Sequence, residues 1–323
     1  MPRVLITGAA GFIGSHLTDC YLKRGDEVIG VDNFITGSKE NLKRHEGNER
    51  LVFIEANVAE RHEELLEHIE SAIGKCDLVL HFASPASPVD YGEFPIETMA
   101  VNSRGTEFCT KACARWGARM LYASTSESYG DPLVHPQSES YWGNVNPVGV
   151  RSCYDESKRY GEALVMSYAR KRGINARIVR IFNTYGPRMR KNDGRVVPNF
   201  VTQALAGEPL TIYGDGSQTR SFCYVDDLVE GIMRCISSDD ARGLVVNLGN
   251  PNERTIREFA EIVCELVGVP LRIETRRLPS DDPTRRNPDI SLARQLIGWE
   301  PAVELREGLR RTIESFRAPV STA

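Results

Sequence analysis

The segment Thr7-Gly8-Ala9-Ala10-Gly11-Phe12-Ile13-Gly14 decides the fold of this 323-residue chain. It follows the short aliphatic run Arg3–Thr7, which predicts a strand, and it opens Phe12–Arg24, which predicts a helix. Three glycines between a strand and a helix let the backbone turn sharply and leave the first N–H groups of the helix free to meet an anion. The segment therefore predicts the first turn of an α/β sheet, with a phosphate-binding helix start.

Strands and helices alternate along the first half of the chain. We predict further strands at Glu27–Val31, Leu51–Ile54, Asp77–Leu80, Met120–Ser124 and Ala176–Ile181, and helices near Arg61–Ile73, Thr98–Trp116 and Glu156–Arg172. Short apolar strands separated by amphipathic helices are typical of a parallel sheet with helices on both faces. Beyond residue 182 the alternation becomes irregular, and glycine and proline become more frequent. We therefore expect the α/β class, with a Rossmann-type doubly wound parallel sheet and a smaller interleaved C-terminal lobe.

Composition and charge narrow the class of protein. A net charge of −4 gives no general attraction to nucleic acid or to an anionic membrane. The N-terminus enters a strand at once and no apolar run approaches the length of a membrane span, so we expect neither a signal peptide nor a membrane association. The eight cysteines include no CxxC pair. Even Cys109 and Cys113, which share a helical face, are expected to be buried thiols rather than metal ligands, as in a cytoplasmic protein without a metal site.

The glycine segment and the strands beside it predict a dinucleotide site. The spacing GxxGxxG resembles that of short-chain dehydrogenases. Asp32 ends the second strand, where a carboxylate accepts hydrogen bonds from the adenosine ribose and repels a 2′-phosphate, so we predict NAD rather than NADP. Asn57 follows the third strand and is placed to meet the adenine. The predicted cofactor site comprises Gly8, Gly11, Phe12, Ile13, Gly14, Asp32, Asn33, Asn57, Tyr154 and Lys158.

A second group of residues predicts acid–base chemistry beside the cofactor. Tyr154 and Lys158 are one helical turn apart, so both side chains share one face. A free tyrosine titrates near pH 10, and a nearby cation is needed for it to act as a base around neutrality. The strand ending in Thr125, Ser126 and Glu127 adds two hydroxyls and a carboxylate that can serve as an acid, a base or an orienting group.

The whole chain resembles the extended short-chain dehydrogenases of the NAD-dependent epimerase/dehydratase family and, within them, the UDP-glucuronate decarboxylases. The segments that carry the resemblance are Ile6–His16, Val31–Phe34, His81–Pro88, Ala123–Glu127, Tyr141–Pro147, Cys153–Glu156, Arg180–Arg188, Asp193–Val197 and Asp281-Asp282-Pro283. The glycine and Tyr-xxx-Lys motifs identify the superfamily only. The segments Ala83–Pro88 and Trp142–Pro147, with Asp281-Asp282-Pro283, are similar to those of the decarboxylases in particular.

The resemblance implies NAD-dependent decarboxylation of UDP-glucuronate to UDP-xylose, by oxidation at C4, loss of the C5 carboxylate as CO2 and re-reduction at C4. It implies Tyr154 as the base and Lys158 as its modulator, with Thr125, Ser126 and Glu127 around the sugar. It implies a substrate site of Asn183, Arg195, Val197, Tyr213, Arg220 and Arg286, in which Arg286 lies near the carboxylate.

The resemblance also implies how the chain is organised. We expect residues 1–182, with 222–250 contributing, to bind NAD, and residues 183–221 and 251–323 to form the nucleotide-sugar lobe. We expect a homodimer built from the helices at Thr98–Trp116 and Glu156–Arg172, as in similar enzymes. Two residues depart from the family pattern: Asn57 stands where an aspartate is usual, and Ser128 stands where a valine is usual. We expect the first to weaken the adenine contact and the second to alter the packing of the neighbouring carboxylate.

Two other functions use the same motifs. A UDP-glucuronate or UDP-hexose 4-epimerase would use the same cofactor and Tyr–Lys pair but would rotate the keto sugar before the hydride returns. A non-catalytic NAD-binding module would not need the intact set of hydroxyls, tyrosine and lysine. The identity of the product separates these alternatives, because an epimerase keeps the number of carbon atoms.

Overall fold

Seven parallel strands form the central sheet of the computed structural model, which describes residues 1–278 and 285–317. The strands are β1 (Arg3–Thr7), β2 (Glu27–Asp32), β3 (Leu51–Glu55), β4 (Leu78–His81), β5 (Arg119–Thr125), β6 (Asn175–Ile181) and β11 (Val245–Leu248). Their order across the sheet is β11-β6-β5-β4-β1-β2-β3, so the direction of winding reverses between β1 and β4, inside the sheet. The predicted Rossmann-type sheet is confirmed, and each predicted strand is correct to within one residue at either end.

Helices cover both faces of this sheet. They are α1 (Phe12–Arg24), α2 (His62–Ile73), α3 (Pro88–Glu93), α4 (Pro95–Ala100), α5 (Thr106–Trp116), α6 (Ser152–Arg172), α7 (Val196–Ala206), α8 (Val225–Ser237), α9 (Ile256–Val267), α10 (Ser291–Ile297) and α11 (Leu305–Arg317). Apolar residues of α1 and α8 pack on one face of the sheet, and apolar residues of α2 and α5 pack on the other. Because both faces are buried, the strands are almost continuously apolar rather than alternating.

Two predicted helices differ from the structure. The helix predicted at Glu156–Arg172 begins earlier, at Ser152, so that Tyr154 lies in its first turn. The helix predicted at Thr98–Trp116 is divided, since Val101–Gly105 forms a π turn between α4 and α5. Within that turn Asn102 is fully buried and donates to the Ser157 hydroxyl at 3.0 Å. Apolar residues recur about every 3.6 positions both in a regular α-helix and in one that contains a single π turn, so the sequence pattern does not distinguish the two.

Among the described residues after β6, β11 joins the central sheet and the other strands form three small sheets. They pair β7 (Thr184–Tyr185) with β10 (Cys223–Tyr224), β8 (Leu210–Tyr213) with β13 (Ile273–Arg276), and β9 (Thr219–Ser221) with both β12 (Glu253–Thr255) and β14 (Arg285–Arg286). The β9–β14 register places Arg286 opposite Arg220, which are two of the predicted substrate residues. The motif Asp281-Asp282-Pro283 and the C-terminal residues 318–323 lie outside the described residues. No helix among the described residues has both the length and the apolar character needed to span a membrane.

Candidate active site

All of the predicted site residues line one cavity of about 770 Å³ at the carboxyl ends of the central strands. They are Gly8, Gly11, Phe12, Ile13, Gly14, Asp32, Asn33, Asn57, Thr125, Ser126, Glu127, Tyr154, Lys158, Asn183, Arg195, Val197, Tyr213, Arg220 and Arg286. Parallel α/β sheets bind their ligands at this edge, where the strand order reverses. The structure therefore places these residues around one cavity. The role of each residue stays a prediction.

The glycine turn is held tightly against its neighbours. Gly8 has a φ of +75°, and a Cβ added there would lie 2.7 Å from the backbone nitrogen of Ala83. A Cβ at Gly14 would lie 2.0 Å from the carbonyl oxygen of Gly8. The turn therefore excludes side chains at both positions. The space that is kept clear lies at the start of α1, whose unpaired N–H groups suit a pyrophosphate.

Asp32 lies at the base of this turn. Its carboxylate accepts hydrogen bonds from the backbone N–H groups of Ala10, at 3.0 Å, and Phe34, at 2.8 Å. Burial raises the pKa of Asp32, and the same hydrogen bonds oppose that shift. Each carboxylate oxygen has a second lone pair, so the group retains acceptors for ribose hydroxyls. The position is the one expected for a residue that favours NAD over NADP.

Asn57 closes a turn after β3 with its side-chain amide. Its Oδ1 accepts from the backbone N–H of Ala59 at 3.0 Å, and its Nδ2 donates to Glu60 Oε1 at 2.8 Å. An aspartate could make the first of these bonds but not the second, because a carboxylate has no donor. The departure from the family pattern therefore ties Asn57 to Glu60, and both residues line the cavity.

Tyr154 and Lys158 lie on one face of α6, as their spacing predicts. The Lys158 ammonium is 5.8 Å from the centroid of the Tyr154 ring and donates to the carbonyl oxygen of Ala123 at 2.9 Å. The Tyr154 ring stacks on Tyr91, with centroids 5.1 Å apart and planes 9° apart. Both side chains are buried. The tyrosine hydroxyl is therefore fixed between β5 and the cavity.

Burial dominates the proton affinities of this pair. Burial raises the pKa of Tyr154, against a hydrogen bond with Thr125 that lowers it. Burial also lowers the pKa of Lys158, to about 7, although the Glu162 carboxylate opposes that shift. A neutral tyrosine beside a partly charged lysine needs a further positive charge before it can act as a base.

Glu127 lies between two arginines. Arg286 contacts it with both terminal nitrogens, one of them 2.9 Å from Oε2, and Arg151 donates to the same oxygen at 2.6 Å. Burial alone would raise the pKa of Glu127, but the two guanidinium groups hold it well below its ordinary value. Glu127 is therefore an ionised, oriented carboxylate in the resting protein. Arg286, predicted beside the substrate carboxylate, already has a carboxylate of this chain as its partner.

Ser128 joins a buried polar network with Ser124 and Glu162. Its hydroxyl is 3.2 Å from that of Ser124, which donates to Glu162 at 2.5 Å. Arg180 closes the network with two hydrogen bonds to Glu162, of 2.7 and 2.8 Å. The serine thus adds a polar partner to Ser124 where the family's valine has only methyl groups.

The predicted substrate residues form the far wall of the cavity. Arg195, just before α7, is held by Asp193 through two hydrogen bonds of 2.9 and 2.6 Å. Arg220 lies in β9 and donates to the carbonyl oxygen of Thr219. Tyr213 ends β8, and its carbonyl oxygen accepts from Gln218. Guanidinium groups suit phosphates and an aromatic ring suits a base, so this wall fits a nucleoside diphosphate.

Sequence reasoning did not select two residues that the structure places at the site. Arg151 is the second cation on Glu127, and Asp155 is a buried acid next to Tyr154. Arg151 lies three residues before Tyr154, at the start of the helix, and this position was the available signal. Asp155 has no such signal, because the sequence does not show that a helical acid beside Glu156 is buried.

The sequence matches the family described as "NAD dependent epimerase/dehydratase family" over residues 4–249. The chain belongs to this family. It is 52% identical over 318 residues to UDP-glucuronic acid decarboxylase 4 of Arabidopsis thaliana, covering 98% of this chain and 69% of the relative. It is 50% identical over 315 residues to UDP-glucuronic acid decarboxylase 1 of Xenopus tropicalis, covering 98% and 72%.

Solved structures of epimerases in this family have the same fold. UDP-glucuronic acid 4-epimerase from Bacillus cereus, in complex with UDP-glucuronic acid and NAD, has a TM-score of 0.86 and 29% identity, covering 97% of this chain and 98% of that one. UDP-glucose 4-epimerase from Thermotoga maritima, with UDP-glucose, has a TM-score of 0.89 and 30% identity, covering 98% of each chain. The fold of these epimerases is therefore close to that of this chain, although about 70% of the aligned residues differ.

The residues of this chain fit the NAD that the family uses. The turn at Gly8 and Gly14 is a cradle that any Cβ would fill, and Asp32 stands at the end of β2 with acceptors for a ribose. Tyr154 and Lys158 lie farther along the same cavity. NAD is the cofactor of this protein.

Proposed function

We propose that this protein converts UDP-glucuronate to UDP-xylose with release of CO2. The observation that carries the proposal is the 50–52% identity to UDP-glucuronic acid decarboxylases over about 98% of the chain. The site supports the same reaction, because it combines a tyrosine–lysine pair with an arginine-flanked carboxylate in one cavity.

The first half of the reaction oxidises C4 of the sugar. Bound NAD supplies the hydride acceptor at this stage and the hydride donor at the end. Tyr154 takes the proton of the C4 hydroxyl, and Thr125 holds the tyrosine oxygen in place through their hydrogen bond. Lys158, one turn along the helix and anchored on Ala123, stabilises the phenolate that this step requires.

The second half removes the carboxylate. The 4-keto sugar is a β-keto acid, and the C4 carbonyl accepts the electron pair when the bond from C5 to the carboxylate breaks. We assign the stabilisation of the enolate oxygen to the hydroxyls of Thr125, Ser126 and Tyr154, which line the same cavity. Arg286 orients the leaving carboxylate, and its own position is fixed by Glu127, which Arg151 holds in turn. C5 then takes up a proton, and reduction at C4 completes the UDP-pentose.

The comparisons do not favour the epimerase alternative. The two epimerases described above are 29% and 30% identical to this chain, whereas the two decarboxylases are 50% and 52% identical. A proton NMR time course with UDP-glucuronate and NAD⁺ tests the proposal. We expect the C5 proton pattern of a pentose with two protons at C5; a single C5 proton in an epimer at C4 would support the epimerase instead.

We also propose the division of labour predicted from the sequence. Residues 1–182, with 222–250, bind NAD, and residues 183–221 and 251–323 bind the nucleotide sugar. The proposal is supported by the presence of β11 in the central sheet, while Arg195 and Arg220 lie outside it. Substitution of Arg220 is then expected to raise the KM for the nucleotide sugar without changing the affinity for NAD⁺.

We propose further that two copies associate through the helices predicted at Thr98–Trp116 and Glu156–Arg172, and that the contact includes the exposed apolar surface of α4 and α6. These helices pack against each other and expose Ile96, Met99 and Tyr160 at 70%, 47% and 53% of their surfaces, which is unusual for large apolar side chains on neighbouring helices. Light scattering of the wild type and of Met99→Glu tests the assembly. A dimer that becomes a monomer on substitution supports it, and a wild-type monomer contradicts it.

We propose a cytoplasmic location. All eight cysteines are free thiols, and a reducing compartment keeps thiols in that state. Fractionation of the cells that produce the protein tests this, and recovery of the protein outside the cytoplasm would contradict it.

A further inference from the structure

Decarboxylation consumes a proton at a buried site. A carboxylate leaves as neutral CO2, so the electron pair that remains on C5 must be joined by one proton from outside the substrate in every turnover. Tyr154 cannot provide a net proton, because the proton that it takes from the C4 hydroxyl returns to that oxygen at the reduction. The site therefore needs a route by which a proton reaches C5 from the solvent.

A second cavity lies directly behind the active site. It has a volume of about 250 Å³ and is lined by Glu127, Gly130, Asp131, Asn144, Val145, Asn146, Arg151 and Asp155. Asp131, Asn144 and Asn146 are exposed, so the cavity meets the solvent on that side. Glu127 and Arg151 line both this cavity and the active-site cavity. The Glu127–Arg151 pair therefore separates the second cavity, which is open to solvent, from the active-site cavity.

Asp155 is the buried acid of the second cavity. It is 6% exposed, and its Oδ1 is buried with no hydrogen-bond partner in the protein. An unsatisfied buried carboxyl oxygen is costly unless water or a proton satisfies it, and the cavity beside Asp155 has room for several water molecules. Asp155 takes no part in the reaction steps assigned to Tyr154 and Arg286.

We propose that Asp155 and the cavity beside it form the route by which a proton reaches C5. The proton passes from solvent through the cavity water to Asp155, and from Asp155 past Glu127 to the enolate. This inference rests on the proposed decarboxylation. In the step, one O–H bond of the carboxyl group breaks and one C–H bond forms at C5. The enolate returns to a ketone, and water in the cavity restores the proton to Asp155.

The charges around Asp155 suit a group that exchanges protons near neutrality. Burial and the Glu127 carboxylate raise the pKa of Asp155 to about 7, against Arg151 and Arg286, which lower it, and Glu156 raises it further. Asp131 lines the same cavity. By contrast, the arginines keep Glu127 ionised, so Glu127 passes a proton on and does not store it.

The test separates oxidation at C4 from protonation at C5 in Asp155→Asn. Rapid mixing with UDP-glucuronate and NAD⁺ follows NADH by absorbance, and quenched samples follow the UDP-pentose by mass spectrometry. We expect NADH to form within about twofold of the wild-type rate, and the pentose to form at least about tenfold more slowly. We also expect the wild-type pentose rate to fall as the pH rises through about 7, and this dependence to disappear in the variant.

Two further variants keep the test decisive. Asp155→Ala is expected to recover pentose formation when formate is added, since a small acid enters a cavity of this size. Asn146→Trp narrows the exposed mouth of the second cavity and is expected to slow the pentose step in the same way. Glu107→Gln is the matched control, because Glu107 is a partly exposed helical acid that pairs with Lys111 and lines neither cavity, and it should behave as the wild type does.

The results that overturn the inference are distinct from those that overturn the reaction. If the wild type forms no UDP-pentose, the proposed decarboxylation fails and the proton route fails with it. If the wild type forms the pentose and Asp155→Asn matches it in rate and pH profile, only the proton route is wrong. Equal slowing of NADH and pentose formation, with no response to formate, would assign Asp155 a structural role and also contradict the proposal.

Discussion

Arg286→Met should destabilise the protein because it leaves a buried carboxylate with one cation instead of two. Arg286 is 3% exposed and the Glu127 side chain is 14% exposed, so solvent screens their pair poorly. Removing one partner of a buried pair costs roughly 3–5 kcal/mol, and Arg151 remains to offset part of it, so we expect about 3 kcal/mol. Unfolding entropy of about 2.1 cal/mol/K per residue over 323 residues then gives a fall in Tm of about 4 °C.

A double-mutant cycle measured by thermal unfolding checks this value. Glu127→Gln with Arg286→Met removes the stranded charge, so the double variant should recover most of the lost Tm and show a coupling of about 2 kcal/mol. Arg285→Met is the control, since Arg285 is the exposed neighbour in the same strand, and its Tm should not change.

The pH dependence of this difference has a definite sign. The folded-state pKa of Glu127 lies below its unfolded value, so the pair's contribution is complete above the unfolded value and is lost only as the pH falls through the folded one. The difference in Tm between the wild type and Arg286→Met should therefore stay constant from about pH 5 to about pH 6, where Asp155 is protonated in both folded proteins. An unchanged Tm in Arg286→Met, or zero coupling in the cycle, would refute the reasoning.

Three other substitutions probe the cofactor end of the cavity. Gly14→Ala places a methyl group 2.0 Å from the Gly8 carbonyl oxygen and should weaken NAD⁺ binding by at least about tenfold, as measured by calorimetry. Asp32→Asn removes the charge that repels a 2′-phosphate, so the ratio of KM values should move toward NADP by about tenfold, and an unchanged ratio would contradict that role. Burial lowers the pKa of Lys158 to about 7, so between that pH and 10.5 the folded protein binds fewer protons than the unfolded chain. The stability of the protein without NAD⁺ should therefore rise with pH over this range. Lys158→Met should flatten this rise, as measured by Tm.

The sequence predicted the central sheet well because its signals are local. Each strand is a short apolar run, and Gly8, Gly11 and Gly14 mark the turn that starts the sheet, so the period and the breakers together determine the order of elements. The π turn at Val101–Gly105 was not predicted, because one widened turn leaves the apolar pattern of the helix unchanged.

The sequence predicted the members of the site better than their electrostatics. Resemblance brought Glu127 and Arg286 into the site, but their direct pairing depends on β14 lying beside β9, which is a long-range contact. The pKa of Tyr154 depends on how deeply it is buried, and spacing within α6 does not reveal that. The cavity behind Glu127 is likewise formed by a loop and a helix start whose packing has no sequence motif.

The mass of the nucleotide sugar after incubation of the purified protein with UDP-glucuronate and NAD⁺ tests the proposed function most directly. The account predicts a product lighter than the substrate by one CO2, with NAD⁺ regenerated in each turnover. A UDP-4-keto-pentose together with NADH would show decarboxylation with incomplete return of the hydride. A product of unchanged mass would contradict the account and indicate epimerisation at C4, and the absence of any product would contradict the choice of substrate.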